Sequence, residues 1–261
     1  MSDIALINDS QQSAIVTNGI GKNGEIYMKA AGSTDAGALV VYDSGNWRKF
    51  ADEASSYSNA YSLSFDGSND SLSLSNSVSF SGACTFSTWI NPSVSGASVF
   101  LGAAASNFLY AFINNQNITF APKIGAGTPT TSGVTISNGS WYHVAIIRDA
   151  SNNITIYVDG VSRATGSYSG TLILPVSLVP ISNAYTGLVD EYAIFDSDQS
   201  ANISSLYNSG VPNDISSLSP LHWWRMGDND GGTGTTITDQ GSGGNDGTIN
   251  NGPTFSSSVP S

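Results

Sequence analysis

The sequence predicts an all-β protein in which an antiparallel two-layered sandwich follows a small β-rich N-terminal module. Three observations support this fold class. Apolar and polar residues alternate along many short segments, turn-forming sequences separate these segments, and strand patterns do not alternate with helix patterns as they do in parallel α/β proteins. With 261 residues, the chain is long enough to bury a substantial core.

The composition is typical of a folded chain of short strands and polar turns. Hydrophobic residues make up 39% of the chain and charged residues 11%, which excludes wholesale disorder. Eight basic and 20 acidic residues give a formal net charge of −12. With so few cationic side chains to contact phosphates, we expect neither nucleic acid nor an anionic membrane surface as a partner.

No segment has the properties of a membrane span or a signal peptide. No apolar run approaches the roughly 20 residues that cross a bilayer, and the N-terminus lacks a basic region followed by an apolar run. We therefore expect neither insertion into a membrane nor export through a signal peptide.

Residues 1–57 differ from the rest of the chain and are interpreted as a separate module. Two β-prone runs, 38–42 and 47–50, flank the turn-forming residues 43–46, which predicts a hairpin. A module of this size would be only marginally stable alone, so we expect the main domain or a partner chain to cover it. The module contains four of the eight basic residues, Lys22, Lys29, Arg48 and Lys49.

The main domain, residues 58–261, begins with a long stretch of period-two alternation that ends near residue 192. This period predicts half-buried strands that turn one face to the core. The alternating residues are Leu63, Phe65, Leu72, Leu74, Phe86, Thr88, Ile90, Val144, Ile146, Ile154, Ile156 and Val158. Turn signals separate the strands at residues 66–69, 91–92, 138–139, 149–153 and 159–160.

One short helix is predicted at residues 200–207, with Ser200 as its N-cap and Gly210 ending the segment. Its apolar face consists of Ile203, Leu206 and Tyr207. The residues after Leu221 are too few to form a core of their own. We therefore expect segment 221–252 to complete the sandwich.

Five motifs in this order resemble those of laminin G-like domains, which belong to the concanavalin A-like lectin/glucanase superfamily. The resemblance covers about residues 58–252. It implies a concanavalin A-like antiparallel jelly-roll sandwich. The motifs are SFDGSNDSL at 64–72, FSTWINP at 86–92, WYHVAIIRD at 141–149, IYVDG at 156–160 and GLVDEYAIF at 187–195.

The segment from Trp224 to Asn250 resembles the element that usually opens such domains, although here it comes last. We interpret this as a circular-permutation-like arrangement, and a truncated second repeat is the alternative. The organisation also resembles structural proteins of marine tailed phages. This second resemblance implies a virion surface protein assembled in the host cytoplasm.

Sequence motifs for catalysis are absent. Glucanases of this superfamily place paired carboxylates on one strand, whereas the neighbours Asp190 and Glu191 would point to opposite faces of a strand. His143 and His222 are interpreted as packed structural side chains, and Cys84, the single cysteine, as a buried thiol. We therefore expect no enzymatic activity and no catalytic residues.

The resemblance implies a structural calcium ion, with Asp66, Asp70 and Asp190 as candidate ligands. The alternative is that these residues are solvated acids in turns, and we expect no other cofactor. Among the tryptophans, Trp89 and Trp141 occupy core positions of the family. Trp223 and Trp224 would point in opposite directions in a strand, so one of them is a weak candidate for an exposed sugar-stacking surface.

The leading functional hypothesis is a non-enzymatic virion surface protein, either a capsid decoration (spike) protein or a tail fibre component. In this hypothesis the N-terminal module contacts other virion proteins and forms a homo-oligomer, for which a trimer is a guess. The alternative is a carbohydrate-binding adhesin module that recognises a host-surface glycan. A glycosidase is a third class, which release of sugar by the purified protein would support.

Overall fold

The computed structural model describes strand segments 5–7, 26–29, 39–43 and 46–49 and then residues 57–93, 98–131, 133–181 and 185–261. Contacts divide the chain into two compact units, Met1–Tyr57 and Ser58–Ser261. The predicted fold class is confirmed, because the chain consists mostly of strands in antiparallel sheets that form a concanavalin A-like sandwich.

The N-terminal unit contains a four-stranded sheet. Its strands, in sheet order, are β1 (Ala5–Ile7), β2 (Ile26–Lys29), β3 (Leu39–Asp43) and β4 (Asn46–Lys49). β1 pairs with β2 in parallel, and the other pairs are antiparallel. The hairpin predicted from the sequence is confirmed by the pairing of β3 with β4, although residues 38, 44, 45 and 50 lie outside the described residues.

In the residues that the structure describes, the second unit contains 17 strands, one short α-helix and three 3-10 helices, at Ser200–Asn202, Asn208–Gly210 and Ser216–Leu218. The strands are β5 (Ser62–Asp66), β6 (Ser71–Leu74), β7 (Val78–Phe80), β8 (Cys84–Pro92), β9 (Ser98–Gly102), β10 (Tyr110–Asn114), β11 (Asn117–Ala121), β12 (Tyr142–Arg148), β13 (Asn153–Val158), β14 (Val161–Ser167), β15 (Leu172–Leu174), β16 (Ser177–Val179), β17 (Thr186–Phe195), β18 (His222–Trp224), β19 (Thr236–Ile237), β20 (Gly247–Asn250) and β21 (Thr254–Ser256). The helix is α1 (Ile203–Tyr207).

The larger sheet has the strand order β14-β13-β12-β8-β17-β5-β21. Its long strand β17 changes partners along its length. Residues 186–189 of β17 pair with β5, whereas residues 192–194 pair with β18. The change falls at Asp190 and Glu191, where the ladder with β8 is also irregular. Glu191 has a φ of +50°, so the bulge interrupts the alternation of side chains at this point.

The remaining strands of the second unit form three smaller groups, with the orders β11-β10-β9, β15-β7 and β16-β6-β20-β19. Their apolar side chains share one core with those of the larger sheet. Leu63 and Ile90 from the larger sheet belong to the same buried cluster as Leu72 and Phe100 from the smaller groups. Burial of this apolar surface between the layers is the main stabilising contribution to the fold.

The expectation that every strand buries one face only is wrong for the centre of the larger sheet. All nine residues of β8 are buried, and so are six of the seven residues of β12. The reason is a second cover on the side facing away from the main core. Tyr207 of α1 stacks on Trp89 with a centroid separation of 6.1 Å and also lies against the ring of His143.

Helix α1 follows a 3-10 turn at Ser200–Asn202 and has five residues. The predicted cap is wrong, because the α-helix begins at Ile203 with Asn202 at the N-cap position, and no side chain caps it. Ser200 lies in the preceding 3-10 turn, where its N–H donates to the Asp198 carboxylate at 2.8 Å. The α-helix ends at Asn208, whose left-handed backbone (φ 43°) closes it before Gly210. Among the described residues, no helix combines the length and the apolar composition needed to cross a membrane.

The C-terminal segment contributes strands to both layers. β18 pairs with β17 and β21 pairs with β5 in the larger sheet, whereas β20 pairs with β6 in a smaller one. Trp224 is fully buried, and its Nε1 donates to the carbonyl of Asn245 at 2.9 Å. The end of the chain therefore belongs to the hydrogen-bonded framework of the second unit.

Candidate functional site

Of the three candidate calcium ligands, Asp66 and Asp70 lie together in one turn, whereas Asp190 lies apart from them. Asp66 pairs with Thr186 at one end of β17, and Asp190 lies four residues further along that strand. Asp70 is buried, and its carboxylate accepts the N–H of Asp66 at 2.8 Å, while Asp66 accepts the N–H of Ser68 at 2.7 Å. These carboxylates close the turn after β5.

The donor set therefore does not fit a shared calcium site. Among the described residues, no group of three His, Cys, Asp or Glu side chains is placed to hold a metal ion. Ca²⁺ takes six to eight oxygen ligands, and the structure does not assemble Asp66, Asp70 and Asp190 around one point. A structural calcium ion stays a prediction from the resemblance.

Both candidate sugar-stacking tryptophans are buried, so the expectation that one of them is exposed is wrong. Trp223 is 5% exposed and Trp224 is inaccessible. The guanidinium of Arg225 lies 5.2 Å from the centre of the Trp223 ring, and the His222 ring stacks on Trp224 at 5.2 Å. Neither ring can stack on a sugar in this arrangement. Trp89 is buried as expected, whereas Trp141 is only partly buried.

Asp190 and Glu191 occupy the bulge where β17 changes partners. The Glu191 carboxylate accepts the Trp223 Nε1–H at 2.5 Å and the Arg225 Nε–H at 3.0 Å. Asp190 is fully buried, and its Oδ1 accepts the N–H of Glu191 at 2.9 Å. Burial and the neighbouring negative charges of Glu191 and Asp228 raise the pKa of Asp190 well above its usual range.

The two histidines also lie in packed surroundings, as expected. His143 is inaccessible, its Nε2 lies 2.9 Å from the Ser87 hydroxyl, and burial lowers its pKa to about 3. The Nδ1 of His222 lies 2.6 Å from the Asp239 carboxylate. Cys84 is buried too, and burial raises the pKa of its thiol to about 11. The expectation of a buried structural thiol is confirmed.

An open groove with a volume of about 620 Å³ lies on strands β16, β6 and β20. The alternation of β6 explains its polar floor, because Leu72 and Leu74 point into the core while Ser71 and Ser73 point away from it. Ser71 is only 5% exposed, and Ser73 is partly buried. The lining residues are Ser71, Ser73, Ala103, Ser177, Pro180, Ile181, Asn250 and Asn251. We call this surface the serine–asparagine groove.

Strand pairing places the polar residues of the groove side by side. Ser73 pairs with Ser177 of β16, and Ser71 pairs with Asn250 of β20. The Nδ2 of Asn250 donates to the Ser73 hydroxyl and to the Thr248 carbonyl, both at 2.9 Å. These two hydrogen bonds fix the orientation of the Asn250 carboxamide.

The groove retains free hydrogen-bonding capacity. Within the described part of the chain, no protein hydrogen bond uses the Oδ1 of Asn250 or the hydroxyls of Ser71 and Ser177. An apolar wall lies beside these groups, formed by Ala103, Pro180 and Ile181, whose side chain is 52% exposed. None of the described lining residues is charged or aromatic.

Sequence reasoning missed this groove. The outward serines of β6 could have been found from the alternation with Leu72 and Leu74. The sequence could not predict that these serines lie next to Asn250, because residues 71 and 250 meet only through the pairing of β6 with β20, which is distant in sequence.

The architecture is that of a lectin-like β-sandwich. The chain belongs to the concanavalin A-like lectin/glucanases superfamily, because the laminin G-like model with this description matches residues 66–202. This match confirms the family resemblance inferred from the five motifs. No curated protein matches the sequence.

One solved structure supports this fold, and two others are similar over a smaller part of the chain. A suspected carbohydrate binding protein from Bacteroides ovatus is 17% identical, with 92% of this chain and 71% of that chain covered and a TM-score of 0.58. The heptameric SAP-like pentraxin of Limulus polyphemus is 14% identical over 57% of this chain and 82% of that chain (TM-score 0.45). Domains LG4-5 of the mouse laminin α1 chain are 14% identical over 60% and 48% of the two chains (TM-score 0.43).

Proposed function

We propose that the second unit is a non-enzymatic module that binds a neutral glycan in the serine–asparagine groove. The observation that supports this proposal is the row of outward hydroxyl and carboxamide groups beside an exposed aliphatic wall. Sugars present hydroxyl groups and apolar C–H faces together, so a binding surface needs both kinds of contact. The Bacteroides ovatus protein, which shares the fold, is itself described as a suspected carbohydrate binding protein.

The positions of the carboxylates favour binding over hydrolysis. A glycosidase needs two carboxyl groups that flank one glycosidic bond. Asp190 and Glu191 are buried in the bulge of β17, where Glu191 is already bonded to Trp223 and Arg225. The described lining of the groove contains no carboxylate and no histidine.

A substitution that fills the groove tests the proposal. Ser177→Trp places a large ring between β6 and the apolar wall, so we expect at least a tenfold loss of affinity for any glycan that the wild-type protein binds. The glycan is first found on an array of neutral and acidic glycans, and affinities are then measured by titration calorimetry. Ser162→Trp, on the exposed edge strand β14 and outside the groove, is the matched control.

Two results would contradict the proposal. One is unchanged affinity of a correctly folded Ser177→Trp variant. The other is a wild-type protein that binds no glycan on the array. Release of reducing sugar by the wild-type protein would instead support a glycosidase.

A second proposal concerns the N-terminal unit and the virion. We infer that residues 1–57 attach the sandwich to a virion surface, as part of a capsid decoration protein or a tail fibre, and hold several copies together. The observations in favour are that Met1–Tyr57 forms a compact unit with its own sheet and that a net charge of −12 keeps crowded copies apart.

Deletion of residues 1–57 tests this division of roles. We expect residues 58–261 to remain folded and monomeric by circular dichroism and light scattering, but to be missing from particles purified after expression during phage assembly. The full-length chain made under the same conditions is the control. Normal incorporation of the truncated chain would overturn the attachment role.

A further inference from the structure

We propose that the serine–asparagine groove selects sugars that carry an acetamido group, such as N-acetylhexosamines. This inference rests on the glycan-binding function proposed above and specifies its ligand class. The acetamido group combines a methyl, an amide N–H and a carbonyl within a few ångströms. The groove offers a matching contact for each of these three features.

The apolar wall matches the methyl group. Protein surfaces usually contact the C–H face of a sugar with an aromatic ring, but no aromatic side chain is present among the described residues that line this groove. Ala103, Pro180 and Ile181 form a small aliphatic surface instead, and the Ile181 side chain is 52% exposed. Burying a methyl against such a surface is favourable.

The fixed carboxamide of Asn250 matches the amide N–H. Both hydrogen bonds of its Nδ2 are made to protein, to Ser73 and to Thr248 at 2.9 Å. These bonds hold the Oδ1 of Asn250 in one orientation, so an incoming N–H donor meets an acceptor that is already positioned. The hydroxyl of Ser177, which lines the same groove and is partly exposed, can donate to the acetamido carbonyl.

The charge of the groove argues against acidic sugars. None of its described lining residues is cationic, and the chain as a whole carries a net charge of −12. A carboxylate or sulfate group would therefore enter without a counter-charge and against the field of the protein. Neutral acetamido sugars meet the same hydrogen-bonding groups without this cost.

Two oligosaccharides that differ only at C2 provide the sharpest test. Chitotetraose and cellotetraose are both β-1,4-linked tetramers, and the first carries an acetamido group where the second carries a hydroxyl. We expect the full-length protein to bind chitotetraose about tenfold more tightly by titration calorimetry, which is the lower end of what a single apolar group contributes to discrimination.

The variant Ile181→Ser locates the source of this preference. It should reduce the affinity for chitotetraose towards that for cellotetraose and leave cellotetraose binding nearly unchanged. Ile124→Ser is a closely matched control, because Ile124 is 51% exposed and lies outside the groove. Thermal unfolding of both variants verifies that each is folded.

The possible results distinguish failure of the acetamido inference from failure of the proposed glycan binding. Equal binding of the two tetramers, or a preference that survives Ile181→Ser, overturns the acetamido inference while groove-dependent glycan binding still stands. Tighter binding in the groove of an acidic glycan that carries no acetamido group, such as a uronic acid oligomer, overturns it as well. If no glycan of any class binds to the protein, the proposed function and this inference are both wrong.

Discussion

Asp190 belongs to a cluster of carboxylates with Glu191 and Asp228, the two acidic side chains that pair with Arg225. Arg225 forms ion pairs with Glu191 at 3.0 Å and with Asp228 at 3.2 Å. Among the described residues, no cation pairs with Asp190, which is inaccessible to solvent. A buried, uncompensated carboxylate is so costly that it retains its proton instead. The charge balance and the raised pKa of Asp190 therefore agree.

The proton on Asp190 makes the stability of the folded protein depend on pH. Because the folded-state pKa of Asp190 is raised, the contribution of this side chain to the free energy of unfolding is fully present below the unfolded pKa of about 4. It declines as the pH rises through the interval in which the unfolded chain has lost the proton and the folded chain still holds it. The loss is about 1.4 kcal/mol for each pH unit of that interval.

Asp190→Asn should remove this pH dependence. The amide has the shape of the protonated carboxyl group and cannot ionise, so we expect the variant to match the wild type near pH 4 and to exceed it in free energy of unfolding at pH 7. Urea unfolding between pH 4 and pH 8 measures the difference. Asp196→Asn, at an exposed carboxylate just beyond β17, should leave the pH profile unchanged. A variant that is less stable than the wild type at pH 7 would show that Asp190 is ionised in the folded protein.

Single residues also show what the sequence could and could not predict. The burial of Cys84 and the packing of His143 followed from their places in alternating strands. Arg148 gave no such signal, yet it is 1% exposed and donates to the carbonyls of Phe80, Gly82 and Gly170. A charged residue is rarely buried to this extent. Its acceptors lie at the end of β7 and in two loops, whose approach to β12 depends on the tertiary fold.

At the scale of elements, the sequence predicted the positions of strands more reliably than it predicted what packs against each face of a strand. The period-two pattern identifies strands such as β5, β6 and β13 because each has one apolar face directed at the core. It could not indicate that β8 and β12 are buried on both faces, since the cover over their second face comes from a distant helix. The Tyr207 ring that covers Trp89 lies 118 residues further along the chain.

The bulge in β17 illustrates the same limit. In the sequence, Asp190 and Glu191 look like strand neighbours that point to opposite faces. In the structure, β17 passes from β5 to β18 at this point, and Glu191 takes a φ of +50° that directs its carboxylate to Trp223 and Arg225. The exchange of partners depends on a strand supplied by the C-terminal segment, so local sequence could not reveal it.

At the scale of the whole second unit, the C-terminal residues lie beside the first residues of this unit. Ser256 of β21 pairs with Ser62 of β5, and the Ser62 hydroxyl donates to the carbonyl of Ser258 at 2.7 Å. The carboxylate of Asp228 accepts the N–H groups of Ala60 and Tyr61 at 2.8 and 3.0 Å. Segment 221–261 is therefore integrated into the unit next to residues 58–62. This arrangement favours the circular-permutation interpretation over a truncated second repeat.

A permuted chain tests this interpretation directly. Ser261 is joined to Ser58 through about six glycine and serine residues, and the chain is opened between Ser219 and Pro220, where Ser219 is exposed. The new first segment then carries β18 to β21 ahead of β5. Because every pairing is retained and only loop closure changes, we expect a free energy of unfolding within about 1 kcal/mol of that of linear residues 58–261. Chemical unfolding followed by circular dichroism measures this free energy.

A second opening of the same joined chain serves as the control. Opening it inside β8, between Thr88 and Trp89, should prevent folding because β8 is the buried centre of the larger sheet. The circular-permutation interpretation is wrong if the chain opened between Ser219 and Pro220 is unfolded while linear residues 58–261 are folded. Segment 221–261 would then fold only at the end of the chain, which is the behaviour expected of a truncated second repeat.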